Sequence, residues 1–156
     1  MNLRIEYLVD HPAVVTQVTR WVHDEWPHFN PGATFEDALA KMRGKLARHA
    51  IPETLVAFLN DQPVGTASLV ETDMATPEGF SPWLASVYVS PEHRNLGIGS
   101  ALVRYTMREV EALGLDKLYL YTPDKVAFYE RLGWVALRNT EHHGRSVTIM
   151  GYTIGE

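Results

Sequence analysis

The chain has 156 residues, 46% of them hydrophobic, a formal net charge of −5 and no cysteine. That length suits a single domain, 1–156, with room for a real core. The missing cysteines exclude disulfides, cysteine-based zinc sites and a cysteine nucleophile, and the acidic balance argues against a general nucleic-acid binder.

The first residues, Met1-Asn2-Leu3-Arg4-Ile5-Glu6, lack a signal-like apolar stretch. No apolar run approaches the ~18 residues that span a bilayer. A cytoplasmic protein without membrane partners is expected. Leu3 to Leu8 reads as a first strand. Pro12 suits the first position of a helix whose Val15, Val18 and Val22 face inward, ending near Trp26-Pro27. After a loop from His28 to Ala33, Thr34 caps a second helix that carries Glu36 and Asp37 in its first turn and runs to about Ala47. Thr54 to Leu59 and Pro63 to Glu71 form two strands around a tight turn at Asn60-Asp61-Gln62. Thr72 to Ser81 is a loop, and Trp83 to Val89 is the next strand.

A helix opens after Gly99, with Val103, Met107 and Val110 on its inner face and Gly114 as its stop. Lys117 to Tyr121 is a strand. Thr122-Pro123 starts a short helix that Gly133 ends, and Trp134 to Thr140 and Val147 to Ile154 close the chain as a hairpin. The order β-α-α-β-β-β-α-β-α-β-β predicts a mixed α/β fold, with a twisted central sheet and helices on both faces.

The chemistry-bearing stretch is Val87-Tyr88-Val89-Ser90-Pro91-Glu92-His93-Arg94-Asn95-Leu96-Gly97-Ile98-Gly99-Ser100. A strand breaks at Pro91, and a loop Arg94-x-x-Gly97-x-Gly99 runs into a helix. Glycines there allow close backbone approach, and the unpaired N–H groups and helix dipole attract an anion, most naturally a diphosphate. The pattern is neither G-x-G-x-x-G nor a P-loop. One strand later comes Phe128-Tyr129-Glu130-Arg131-Leu132-Gly133-Trp134.

Together these motifs resemble the GNAT superfamily of N-acetyltransferases, whose pyrophosphate loop reads Arg-x-x-Gly-x-Gly and whose C-terminal half carries F-Y-x-x-x-G-F/W. The resemblance covers roughly the last half of the chain; before that, only the element order matches. It implies acetyl-CoA as cosubstrate and no metal. Backbone N–H groups of Arg94, Asn95, Leu96, Gly97, Ile98 and Gly99, with Ser100 beside them, would hold the pyrophosphate. Val87, Tyr88 and Val89 would pair with the pantetheine arm and hold the oxyanion, with Thr122, Lys125 and Phe128 completing the cofactor side. Tyr129 matches the tyrosine that protonates the departing thiolate; a phenol of pKa ~10 keeps its proton at neutral pH.

The sequence departs from the family at two positions. Thr122 stands where many members have an asparagine that contacts pantetheine. The strand Trp83-Leu84-Ala85-Ser86 lacks the glutamate that many members use as a base. Glu71 is the expected replacement, with Asp73 beside it to orient an ammonium. Trp26, His28 and Ser86 are expected on the acceptor wall, where ring faces and acidic groups suit a cationic amine. Trp21 either joins that wall or packs in the core. The pair His142-His143 has no evident third ligand, and neighbours on a hairpin tip point to opposite faces. Tyr119 and Tyr121 read as packing residues.

The expected activity is direct transfer of acetyl to a small primary amine. The alternatives are an acyl-CoA-binding sensor without catalysis, motivated by those two departures, and a peptide or protein N-acetyltransferase. Polyamines, aminoglycosides, amino acids and peptides all remain open as acceptors. A homodimer would cover the exposed edge expected at the last strand.

Overall fold

The computed structural model describes residues 2–27 and 31–155. Its strands are β1 (Leu3–Tyr7), β2 (Glu53–Leu59), β3 (Gln62–Val70), β4 (Trp83–Val89), β5 (Lys117–Thr122), β6 (Val135–His142) and β7 (Arg145–Thr153). Its α-helices are α1 (Val15–Glu25), α2 (Phe35–Arg43), α3 (Ile98–Ala112) and α4 (Val126–Glu130). The element order is the expected one. The strands form one seven-stranded sheet in the order β1-β2-β3-β4-β5-β7-β6. Every neighbouring pair is antiparallel except β4 and β5.

β2 and β3 are buried on both faces. Leu55, Ala57, Ala67 and Leu69 pack toward α3 with Ile98, Leu102 and Val103. Val56 and Phe58 pack on the opposite face, with Val15 and Val18 of α1 and Met42 of α2. The continuous apolar runs in β2 and β3 follow from this double cover. Asn60 and Asp61 join the two strands at φ of 50° and 68°, the left-handed pair that a tight hairpin turn requires.

Pro12 opens a 3-10 turn, Pro12–Val14, and α1 begins only at Val15. α2 carries a full capping box between Thr34 and Asp37 and stops at Arg43, short of Ala47. The inner face of α3 is rotated from the expected one: Ile98, Leu102, Thr106 and Glu109 are buried with Val103 and Val110, while Met107 is only partly covered. Thr106 enters the core because its hydroxyl donates to the Leu102 carbonyl at 3.0 Å, one turn back.

Thr122 does not cap α4. Its Oγ1 accepts from the backbone N–H groups of Asp124 (3.3 Å) and Lys125 (2.9 Å), which builds a turn before the helix begins at Val126. The outer edge of the sheet is β6, not the last strand, because β7 inserts between β5 and β6. Val135 and Leu137 are exposed along β6.

Candidate active site

β4 and β5 run parallel, yet their only register partners are Trp83 and Tyr119. Past that point the strands splay. Trp83 is fully buried and anchors the apex through Nε1, which donates to the Phe80 carbonyl at 2.6 Å; Phe80 in turn stacks on Tyr119 at 4.3 Å. The splay opens a cleft of about 1400 Å³ lined by β4, β5, the Arg94–Gly99 loop, α4 and the cleft-facing sides of α1 and α2. Backbone groups of β4 and β5 that would pair in a closed sheet face this cleft instead, and buried polar backbone needs a partner.

β4 also carries a bulge. Thr66 pairs with Tyr88 and Ser68 with Ala85, so Ser86 and Val87 together oppose Ala67. Ser86 sits at φ 56°, and the kink turns the strand at the middle of the cleft wall.

At the mouth of the cleft, Asn95 (φ 63°) and Gly97 (φ 83°) turn the chain into α3. Gly97 is the N-cap residue and has open space where a Cβ would stand. The first N–H groups of this 15-residue helix have no intrahelical partner and point at the cleft mouth. Arg94 is held by its Nε, which donates to the Val89 carbonyl at 2.9 Å, and lies over the Tyr88 ring. Arg104, Lys125 and Arg131 add positive charge on the same side.

Tyr129 is 8% exposed, with Phe128 and Trp134 edge-on to its ring at 5.0 and 5.9 Å. It lines the cleft, and its hydroxyl is hydrogen-bonded to no described residue. Burial, with a smaller push from the Asp124 charge, raises its pKa above the ordinary phenol value, so the proton stays on.

The cleft gathers Val87, Tyr88, Val89, Arg94, Asn95, Gly97, Ile98, Gly99, Ser100, Thr122, Lys125, Phe128 and Tyr129 of the expected cofactor and catalytic residues. Leu96 is 46% exposed and does not line it. On the acceptor side it gathers Trp26, Asp73 and Ser86. Glu71 is left out. It is exposed just past the end of β3, and only its backbone carbonyl is engaged, by the Ser81 hydroxyl at 2.7 Å. Asp73, two residues on, enters the cleft. Its pKa is raised by desolvation, opposed by the charges of Lys45 and Lys41. His28 lies outside the described residues.

Trp21 stacks on Tyr88 at 5.4 Å and Trp26 meets the same ring edge-on at 6.4 Å, so Tyr88 ties α1 to β4 and only Trp26 reaches the cleft. Tyr121 packs edge-on to Trp83 and also lines the cleft, which its reading as a packing residue missed. The His142 and His143 rings do not diverge; their centroids lie 4.3 Å apart because His143 takes a φ of 49°. Among the described residues no group of three or more His, Asp or Glu side chains is placed to hold a metal ion. No helix among them is long and apolar enough to cross a membrane.

Sequence reasoning also missed Arg104, Lys45 and Arg145. Arg104 was findable, since it follows Ser100 by one helical turn and so stands above the helix N-terminus.

The acetyltransferase (GNAT) family model matches residues 15–134. The chain belongs to the GNAT acetyltransferase family. Solved structures agree with this assignment. An aminoglycoside 6'-N-acetyltransferase complexed with coenzyme A is 20% identical, with a TM-score of 0.74, over 100% of this chain and 98% of that one. A GNAT-family acetyltransferase from Streptococcus pneumoniae is 19% identical, with a TM-score of 0.73, over 99% and 100%. The protein yncA from Salmonella typhimurium, solved with its cofactor acetyl-CoA, is 17% identical, with a TM-score of 0.73, over 100% and 96%. At these identities the likeness establishes the fold. No curated protein is significantly similar to the chain in sequence.

Proposed function

We propose that this GNAT acetyltransferase moves the acetyl group of acetyl-CoA directly onto a primary amine. The observation that carries the reading is the splay of β4 from β5, with the N-terminus of α3 at its mouth and a protonated tyrosine on its wall. A cofactor arm that carries amides would lie along the unpaired edge of β4 as an added strand does, while the diphosphate meets the N–H groups from Arg94 to Gly99. Arg104, Lys125 and Arg131 supply further cations for the remaining phosphate.

The reaction needs little else. The deprotonated amine attacks the thioester carbonyl and forms the C–N bond. The oxygen gains charge beside backbone N–H groups of the bulged strand at Ser86 to Val89. The C–S bond breaks, Tyr129 gives its proton to the leaving thiolate, and the proton that the attacking nitrogen sheds passes through water to restore the tyrosine. Asp73 is the group that receives the acceptor ammonium; burial raises its proton affinity, which favours drawing off a proton through water. It takes the part for which Glu71 was expected.

The test is free-thiol release from acetyl-CoA with and without amines, beside a Gly97→Glu protein. The glutamate would put bulk and negative charge where the diphosphate binds; no neighbour blocks a Cβ there, but the φ of 83° strains any side chain, so the melting temperature of the variant is measured alongside. Amine-dependent release that the variant lacks supports the reading. A thermal shift with acetyl-CoA but no release with any amine would make the domain a binder without catalysis. No shift in either protein would refute the loop assignment.

A further inference from the structure

The acceptor half of the cleft is charge-balanced. Its acidic residues are Glu25, Asp37 and Asp73, the remaining cleft carboxylate, Asp124, standing beside Lys125 ahead of α4 on the cofactor side; its basic residues are Lys41, Lys45 and Arg145. A site for a polycation would carry an acidic excess, since each ammonium leaving water needs an opposite charge. Fewer carboxylates are available than that count implies. Asp37 is occupied by the Thr34 capping box, where its carboxylate accepts the Thr34 N–H at 3.0 Å. Glu25 is exposed at the end of α1. Asp73 is therefore the acidic group of the acceptor half that is withdrawn from water.

The basic residues are arranged differently. Lys41 in the last turn of α2 and Lys45 in the turn that follows Gly44 both line the cleft. The Lys45 side chain is partly buried, yet it has no hydrogen bond or ion pair with any described residue. Burial lowers its pKa, and the nearby Asp73 charge opposes that shift. The two are in electrostatic reach without closing a contact. Arg145, at the start of β7, brings a guanidinium without a partner among the described residues. A desolvated cation facing a cleft, with a carboxylate nearby but not in contact, is completed by an anion that enters with the ligand.

We infer that the acceptor is zwitterionic: a small primary amine with an anionic group a few bonds away, as in an amino acid, its ammonium meeting Asp73 and its anion meeting Lys45. This rests on the transferase reading above. It narrows the acceptor by charge, against polyamines and aminoglycosides.

Thiol release at saturating acetyl-CoA would be measured with L-amino acids, each beside its decarboxylated amine (phenylalanine with phenethylamine, for example), and with spermidine and kanamycin. The expected result is at least one amino acid with kcat/KM ten-fold or more above its decarboxylated partner and above both polycations. Lys45→Met should raise KM for that acid roughly 10–100-fold, the worth of one charged hydrogen bond. The KM for the decarboxylated amine should not rise, since losing a cation near Asp73 does not weaken an ammonium's hold there, and an unchanged thermal shift with acetyl-CoA shows the variant is folded. Preference for the decarboxylated amines or the polycations overturns the inference, as does a Lys45→Met effect equal on acid and amine. No release with any acceptor, with acetyl-CoA binding intact, instead overturns the transferase reading and this inference with it.

Discussion

Replacing Tyr129 by phenylalanine removes one hydroxyl and leaves the ring. The ring is held by Phe128 at 5.0 Å and Trp134 at 5.9 Å, and it is 8% exposed. Because the hydroxyl bonds to no described residue, its loss should cost the fold little. Catalysis should suffer more. General acid catalysis is worth about 10²–10⁴ in rate. The leaving thiol has an unperturbed pKa near 8.5, so its anion is already fairly stable at neutral pH. The low end therefore applies, a fall in kcat of about 10²-fold, or ~2.7 kcal/mol of barrier. The KM for acetyl-CoA should be nearly unchanged, since the pyrophosphate loop is untouched. The pH profile adds a check. Burial holds the Tyr129 proton above the ordinary range, so wild-type kcat should show no basic limb below about pH 10. The assay is steady-state thiol release on both proteins, with melting temperatures alongside. A phenylalanine protein within twofold of wild-type kcat would refute the acid role.

Glu53 is fully buried, and neither of its oxygens meets a hydrogen-bond partner among the described residues. Desolvation, with the neighbouring Glu109 charge, raises its pKa from 4.5 to about 8. The folded state thus holds a proton that the unfolded chain has released, so stability should fall between about pH 4.5 and 8, by at most ~1.4 kcal/mol per unit, and level off above. Glu53→Gln should flatten the dependence of melting temperature on pH, and parallel curves for the two proteins would contradict this. At Gly65 an added Cβ would meet the Tyr88 carbonyl at 2.9 Å and Leu102 Cδ1 at 3.1 Å. Gly65→Ala should therefore cost ~1–3 kcal/mol and, by pushing on β4, weaken acetyl-CoA binding in a thermal-shift titration; an unchanged melting temperature would show that the strand yields.

The element order was readable because most segments carry local signals that tertiary packing reinforces: alternation in β5, the Thr34 cap, the Asn60-Asp61 turn. The turn from Arg94 to Gly99 into α3 was readable because its glycines are set by backbone geometry. What escaped depends on non-local pairing. Nothing local in Trp83–Val89 says that the strand will part from β5 after one residue, or that Ser86 will bulge. Which of Glu71 and Asp73 reaches the cleft depends on where the chain turns after Val70, and of the two only Asp73 lines it. Lys41 of α2 and Lys45 just past its end look like an ordinary solvated face until the fold lays them against the opening. The sheet edge was misplaced because strand order is not chain order: β7 crosses inside β6.

The parting of β4 and β5 has a mechanical side. The sheet consists of two leaves, β1–β4 and β5–β7, stitched at Trp83↔Tyr119 and otherwise unsewn along the seam. A molecule that bonds to both lips supplies missing rungs, so its binding energy adds to the work of prying the leaves apart. At a free ligand concentration of about 100 Kd this amounts to ~2.7 kcal/mol. The lifetime of the polypeptide against proteases and heat then tracks the supply of its own cosubstrate. Amide exchange along the two lips, slowed by that cosubstrate and fast without it, would read out the filling of the seam strand by strand.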